Sequence, residues 1–335
     1  MGCAQSAFSR AGLCLPLMTP LVSVAAVYLV IVLRNFMKEK REKKRIRSAF
    51  STYMTPAVVN QVLKNPDMLR LGGERRTMSV FFSDLSGFTS ISERSSPEEL
   101  VALLNEYLES MTKIIFSREG TLDKYQGDGI MAFWNAPIYE DDHAYLCCCA
   151  ALESVDHLEN VLKPKWLSEG RPALDVRIGI NTGPMIVGNM GSDTRMDYTV
   201  MGDAVNLGSR LESANKAYGT RIMMSEYTRE LVTGRIIDRE LDVVLVKGKK
   251  KPVRVYEVLG RSGESTPEQE ELWELYSEGL SNYRERRWQE GIEAFSAALA
   301  IDGNDRPSNT YLRRCKEYLA NPPPQEWDGT FSVAK

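Results

Sequence analysis

The chain has 335 residues, 43% of them apolar and 26% charged. That is a globular balance with enough apolar side chain for a substantial core, and it excludes a wholly disordered or collagen-like polymer. Lys and Arg number 42 against 45 Asp and Glu, a net charge of −3, so there is no global basic excess for coating nucleic acid. Six Cys, with Cys147, Cys148 and Cys149 consecutive, suit small core residues in a reducing compartment better than a disulfide framework. Two His, His143 and His157, exclude a His-rich metal site. His143 is expected on the surface at a helix start.

Ala11 to Leu33 is a stretch of 23 residues without a charge. As a helix it spans roughly 34 Å, enough for a bilayer core. A secretory signal would have a shorter apolar region, about 7–15 residues, with basic residues before it. Here they follow: Arg34 to Arg47 holds eight Lys or Arg against Glu39 and Glu42. The positive-inside rule therefore puts everything after residue 34 in the cytoplasm. This run reads as a solvated helix beside lipid head groups, with the composition of a rigid coupling helix. Met1-Gly2-Cys3-Ala4-Gln5-Ser6 fits the short N-myristoylation pattern, but the helix already supplies the anchor.

Met78–Phe82 is a buried-strand pattern ending at Asp84. Pro97 opens an amphipathic helix to Phe116. Thr121–Trp134 reads as two strands about Gly127-Asp128-Gly129. A second helix covers Asp141–Val161. Short strands follow at Asp175–Asn181, Met185–Val187 and Asp197–Val200, then a helix at Asp203–Ala217. Strands at Ile222–Ser225, Ile236–Val246 and Val253–Val258 close the region. The strand–helix–strand–strand–helix–strand order predicts a ferredoxin-like α+β sheet with helices on one face and the other free for a partner. Beyond a polar linker, Trp273, Gly279, Tyr283, Ala294 and Phe295 sit near tetratricopeptide offsets. One such unit cannot bury its own face, so a helical hairpin packed on the preceding domain or a dimer mate is expected. It ends at Asn321-Pro-Pro-Pro324, and the last eleven residues show no fold signal. The expected domains are 1–33, tail and transmembrane helix; 34–76, coupling helix and linker; 77–260, catalytic; and 261–335, linker, hairpin and tail.

Asp84 and Asp128 are candidate Mg²⁺ ligands, since this ion takes one or two carboxylates plus substrate phosphates. Asp at a turn is also an ordinary turn former, an equal reading on spacing alone. Gly87, Phe88 and Thr89 follow Asp84 at the start of a helix, where backbone N–H groups suit phosphates. Asn206 and Arg210, four apart, share a helical face. The Arg can face developing phosphate charge and the Asn a ribose, or both can be merely solvated.

The segments FFSDLSGFTSISE, KYQGDGIMAFWNAP, VRIGINTGPMIVGNMG and YTVMGDAVNLGSRLE together resemble the signatures of class III nucleotidyl cyclases, over about residues 75–259. The resemblance implies a head-to-tail homodimer with two shared active sites. One subunit supplies Asp84, Asp128 and the Leu85 carbonyl to two Mg²⁺ or Mn²⁺ ions. The other supplies the purine-reading Lys124 and Thr199, the ribose-orienting Asn206 and the transition-state Arg210. Lys247 falls on a phosphate-binding position, crowded by Lys249, Lys250 and Lys251. A donor-only Lys124 suits the N1 acceptor of adenine and opposes the N1–H of guanine. Thr199 discriminates less sharply, because a hydroxyl accepts or donates. The reading is a membrane-anchored adenylate cyclase making 3′,5′-cyclic AMP and pyrophosphate from ATP. The alternatives are a guanylate cyclase or a nucleotide-binding scaffold. The flanks resemble bacterial receptor-type adenylate cyclases, whose sensor precedes the last membrane helix; ten residues precede the uncharged stretch here.

Overall fold

The computed structural model describes residues 18–50, 72–192, 195–244, 252–324 and Trp327. The chain divides into two compact units, Met1–Pro66 and Asp67–Lys335. In the first, helix α1 (Met18–Phe50) runs without a break from apolar into basic sequence. Pro20 lies in its first turn, where a missing N–H leaves no intrahelical bond unmade. Leu21–Lys38 is long and apolar enough to cross a membrane, and its Leu21, Val24, Tyr28 and Ile31 are exposed. The myristoylation pattern and residues 11–17 of the uncharged stretch lie outside the described residues.

In the second unit the chain order is β1 (Gly72–Ser86), α2 (Phe88–Ser92), α3 (Pro97–Ser117), β2 (Thr121–Gln126), β3 (Gly129–Trp134), α4 (His143–His157), α5 (Lys163–Ser168), β4 (Asp175–Ser192), β5 (Arg195–Met201), α6 (Asp203–Tyr218), β6 (Ile222–Ser225), α7 (Glu226–Val232), β7 (Ile236–Val244) and β8 (Val253–Arg261). Three further helices follow: α8 (Pro267–Arg284), α9 (Trp288–Ile301) and α10 (Arg306–Ala320). The sheet order is β2-β3-β1-β4-β6-β8-β7, with β5 paired to β4. Its first four strands are antiparallel in the βαββαβ order, and the parallel β4–β6 pair makes the sheet mixed.

Local chemistry sets several boundaries differently from the periodicity. Ser96 and Glu99 form a capping box that starts α3 with Pro97 in its first turn. The strands expected at 175–181 and 185–187 are one 18-residue strand, β4. Pro184 is tolerated there because it pairs only with Thr77 of β1; β6 reaches no further than Ile180 and β5 begins at Ile186. The second helix passes through a π-turn, Leu158–Leu162, just before Pro164. Proline has no N–H for the regular ladder, and a widened turn accommodates it. His143 is not a surface residue: it is buried, and its Nδ1 lies 2.8 Å from the Ser79 hydroxyl. Cys147, Cys148 and Cys149 are free and buried.

Alternation along the strands divides the core. Phe81, Ile178, Ile180, Ile222 and Met224 face α3, α4 and α5, meeting Leu103, Tyr107, Met111, Cys147 and Trp166. Met78, Val80, Phe82, Met131 and Phe133 point the other way, under Val200, Ala204 and Val205 of β5 and α6. The expectation of helices on one face is therefore corrected. Further along that second face Leu207, Leu211 and Tyr218 of α6 join Met223, Leu241 and Val255, capped by Tyr276, Tyr283, Phe295 and Tyr311 of the C-terminal helices. Three C-terminal helices stand where two are expected, and α10 pairs Arg314 with buried Asp242 of β7 at 3.2 Å. Trp327 packs on Tyr283, Trp288 and Tyr318.

Candidate active site

Two acids converge where β1 meets the β2–β3 hairpin. β1 pairs with β3 through Ser83 opposite Ile130, so the hairpin turn lies beside the end of β1. Gly129 permits the approach: a Cβ there would stand 2.6 Å from the Ser83 carbonyl oxygen. The result is a hydrogen bond from the Leu85 backbone N–H to Asp128 Oδ2, 3.2 Å. Asp84, one residue earlier, is half-exposed beside it.

Across the sheet, Asp84 is the register partner of Arg177 on β4. Arg177 donates through Nη2 to Asp84 Oδ2 at 2.8 Å and through Nε to Glu212 Oε1 of α6 at 3.0 Å. Helix α6 reaches this position because Gly179 and Gly208 let helix and strand touch. A Cβ on Gly179 would lie 2.2 Å from the Glu212 amide nitrogen, and one on Gly208 2.8 Å from Val80 Cγ2. Arg177 lies inside the quoted VRIGIN segment, yet its role depends on the β1–β4 register, which no local pattern specifies. Burial pushes the Asp128 carboxyl above its ordinary range, and the Asp84 charge adds to the shift.

These groups fit a divalent cation. Two neighbouring carboxylates, one destabilised by the other's charge, gain from a shared positive ion. Among the described residues no group of three or more His, Cys, Asp or Glu is arranged to hold a metal. A sparse ligand set of this kind suits Mg²⁺, which keeps open positions for water and substrate phosphate.

Lys124 and Thr199 also come together. Lys124 lies on β2 opposite Met131, and Thr199 on β5 opposite Gly188. Between them is Asp123, whose side chain is only 1% exposed. It accepts from the Thr199 hydroxyl at 2.5 Å, and its other oxygen lies 3.3 Å from Lys124 Nζ. Burial raises the Asp123 pKa, while Thr199 and Lys124 oppose the rise.

Asn206 and Arg210 are both exposed on α6. No contact joins them to Asp84 or Asp128 among the described residues. Gly87 forms a left-handed turn (φ 80°) into the five-residue α2, which begins at Phe88. The Thr89 side chain and Lys247 lie outside the described residues. One chain thus gathers Asp84, Leu85 and Asp128 in one place and Lys124 with Thr199 in another.

Comparison with known proteins bears on this arrangement. Residues 73–260 match the model of the adenylate and guanylate cyclase catalytic domain. This chain belongs to that family. It is 35% identical over 219 residues to adenylate cyclase 1 of Rhizobium meliloti (strain 1021), covering 64% of this chain and 33% of the relative. Adenylate cyclase of Anabaena cylindrica is 36% identical over 192 residues, 55% of this chain and 37% of the relative. The chain therefore spans about a third of the length of each. Among solved structures, the adenylyl cyclase CyaB from P. aeruginosa has a TM-score of 0.54 at 38% identity, covering 58% of this chain and all (100%) of that one. The guanylyl cyclase Cya2 has 0.53 at 37%, covering 58% and 98%. The two solved structures, of opposite base preference, are about equally similar to this class III cyclase domain, while both curated relatives are adenylate cyclases.

Proposed function

We propose that the chain is a membrane-anchored adenylate cyclase that converts ATP to 3′,5′-cyclic AMP and pyrophosphate, at sites shared by two copies. The observation that carries the reading is the convergence of Asp84 and Asp128 beside the Leu85 amide. Asp84, Asp128 and the Leu85 carbonyl would hold two Mg²⁺ or Mn²⁺ ions. When bound, these supply Lewis-acid stabilisation for an in-line attack of the ribose 3′-hydroxyl on the α-phosphate. Arg177, paired with Asp84, keeps a guanidinium beside the acids that would hold the cations.

Asn206 and Arg210 act on the nucleotide held by the partner copy. Asn206 orients the ribose, and the planar fork of Arg210 takes up charge on the equatorial phosphate oxygens. Their solvent-facing positions and the exposed cross-strand neighbours Ile186 and Met201 support a partner on this face. Gly87, Phe88 and Thr89 present backbone N–H groups to the phosphates, and Lys247 adds a cation. Lys124 and Thr199 read adenine. Helix α1 spans the inner membrane once, with Arg34–Arg47 and the catalytic domain on the cytoplasmic side.

Purified chain given Mg²⁺ or Mn²⁺ should form cyclic AMP and stoichiometric pyrophosphate from ATP, well ahead of cyclic GMP from GTP. A preference for GTP would establish the guanylate reading, which the similarity to Cya2 keeps in view. Nucleotide binding without pyrophosphate release from either would leave only a scaffold.

A further inference from the structure

Beside Lys124 and Thr199 stands a third residue, Asp123, that the proposed chemistry does not use. On a regular strand Asp123 and Lys124 would point to opposite faces. The β2–β3 register slips between Leu122 and Lys124, making Asp123 the extra residue of a bulge, a device that re-aims a side chain. Both side chains therefore lie on the face that β5 covers. There the buried Asp123 carboxylate takes the Thr199 hydroxyl proton with one oxygen and lies 3.3 Å from Lys124 Nζ with the other.

A threonine hydroxyl has one proton and two lone pairs. With its proton committed to Asp123, it faces a base only as an acceptor. An acceptor matches the exocyclic amino group of adenine and repels the 6-carbonyl of guanine. We infer that Asp123 is a positioning residue that makes the site adenine-selective, by locking Thr199 as an acceptor and tethering Lys124 as the donor to N1. This rests on the adenylate reading above and supplies the discrimination that Thr199 alone lacks.

The test compares two nearly isosteric substrates. N6-methyladenosine triphosphate donates one N–H at position 6; 6-methoxypurine riboside triphosphate only accepts there. Both keep the N1 acceptor for Lys124. A locked hydroxyl predicts about tenfold or greater kcat/KM preference of the unmodified chain for the first. In Asp123→Asn the single acceptor oxygen stays with the donor-only Lys124 Nζ, which turns the amide NH2 toward Thr199 and frees the hydroxyl proton for the base. That variant should lose most of the preference, and its ATP-to-GTP ratio should fall with it. Thr199→Val should lose the preference too, and adding Asp123→Asn to it should change nothing further.

Equal use of both analogues by unmodified chain that turns over ATP well overturns the inference and leaves the adenylate reading standing. An Asp123→Asn protein that keeps the full preference does the same. Should that variant fail to fold, the analogue pair on the unmodified chain decides the matter alone. Unmodified chain that prefers GTP removes both the inference and the reading beneath it.

Discussion

Asp84 and Asp128 are close enough for the charge of one to raise the pKa of the other. Burial and that charge make Asp128 costly to ionise without a further cation nearby. Asp84→Asn should fold normally, because the residue is half-exposed, and should lose about a hundredfold or more in kcat, as the loss of preorganised electrostatic stabilisation does. Turnover assays and thermal melts on the same preparation check both halves. The pH dependence follows from the same pair. Asp128 has a folded-state pKa above its unfolded value, so without cation its contribution to stability is full at low pH and is lost as pH rises through the folded value. A bound divalent cation offsets that loss. The Tm increase caused by Mg²⁺ should therefore grow as pH rises through the Asp128 titration, and shrink where Asp128 is protonated. A Mg²⁺ shift that is flat with pH would contradict the pairing. At this scale the motif acids were legible from residue type and their place after a strand and in a turn. Arg177, Glu212 and Asp123 were not, because their roles come from cross-strand register, a helix laid over the sheet and a bulge.

At the scale of elements, helix α6 is the piece on which the proposed catalytic geometry depends. Its approach to β4 is set by two glycines with backbone or packed side chains at less than 3 Å from any added Cβ. Gly179→Ala should cost about 1–3 kcal/mol through overpacking and reduce kcat beyond the loss of folded protein, since α6 carries Asn206 and Arg210. Circular dichroism melts beside specific activity separate the two effects. The buried ion pairs of β7 are the other joint. Arg239 donates to Glu257 at 2.7 Å and to Asp305, just ahead of α10, at 2.6 Å. Asp305→Ala leaves Arg239 with Glu257 alone and removes the cap on the Ser308 N–H, so it should destabilise by about 2–4 kcal/mol while leaving the site acids untouched, as a chemical denaturation curve will show. Strand and helix periods located most of these elements in advance. They missed the short α2 and α7, the third C-terminal helix and the continuity of β4. The two short helices carry little periodicity, α10 is polar in composition although it buries Tyr311 and Cys315 on one face, and Pro184 reads as a break until its one-sided pairing is known.

At the scale of the whole molecule, the C-terminal helices cover the second sheet face. Tyr276, Tyr283, Phe295 and Tyr311 join one cluster with Leu241, Val253 and Val255 of the sheet. Truncation after Arg261 should expose that cluster and yield aggregated protein by size-exclusion chromatography, whereas a tail merely appended would be removable. The division of labour between copies was legible only through the family resemblance, since nothing local to Arg210 says which molecule's phosphate it serves. That division is the central claim, and mixing two dead variants tests it most directly. Asp84→Asn chains lack the cation site and Arg210→Ala chains lack the guanidinium, yet a heterodimer of the two has one site with both groups intact. Co-assembled in equal amounts with random pairing, they should recover about a quarter of wild-type cyclic AMP production. Mixed heterodimers as inactive as either variant alone would contradict the account.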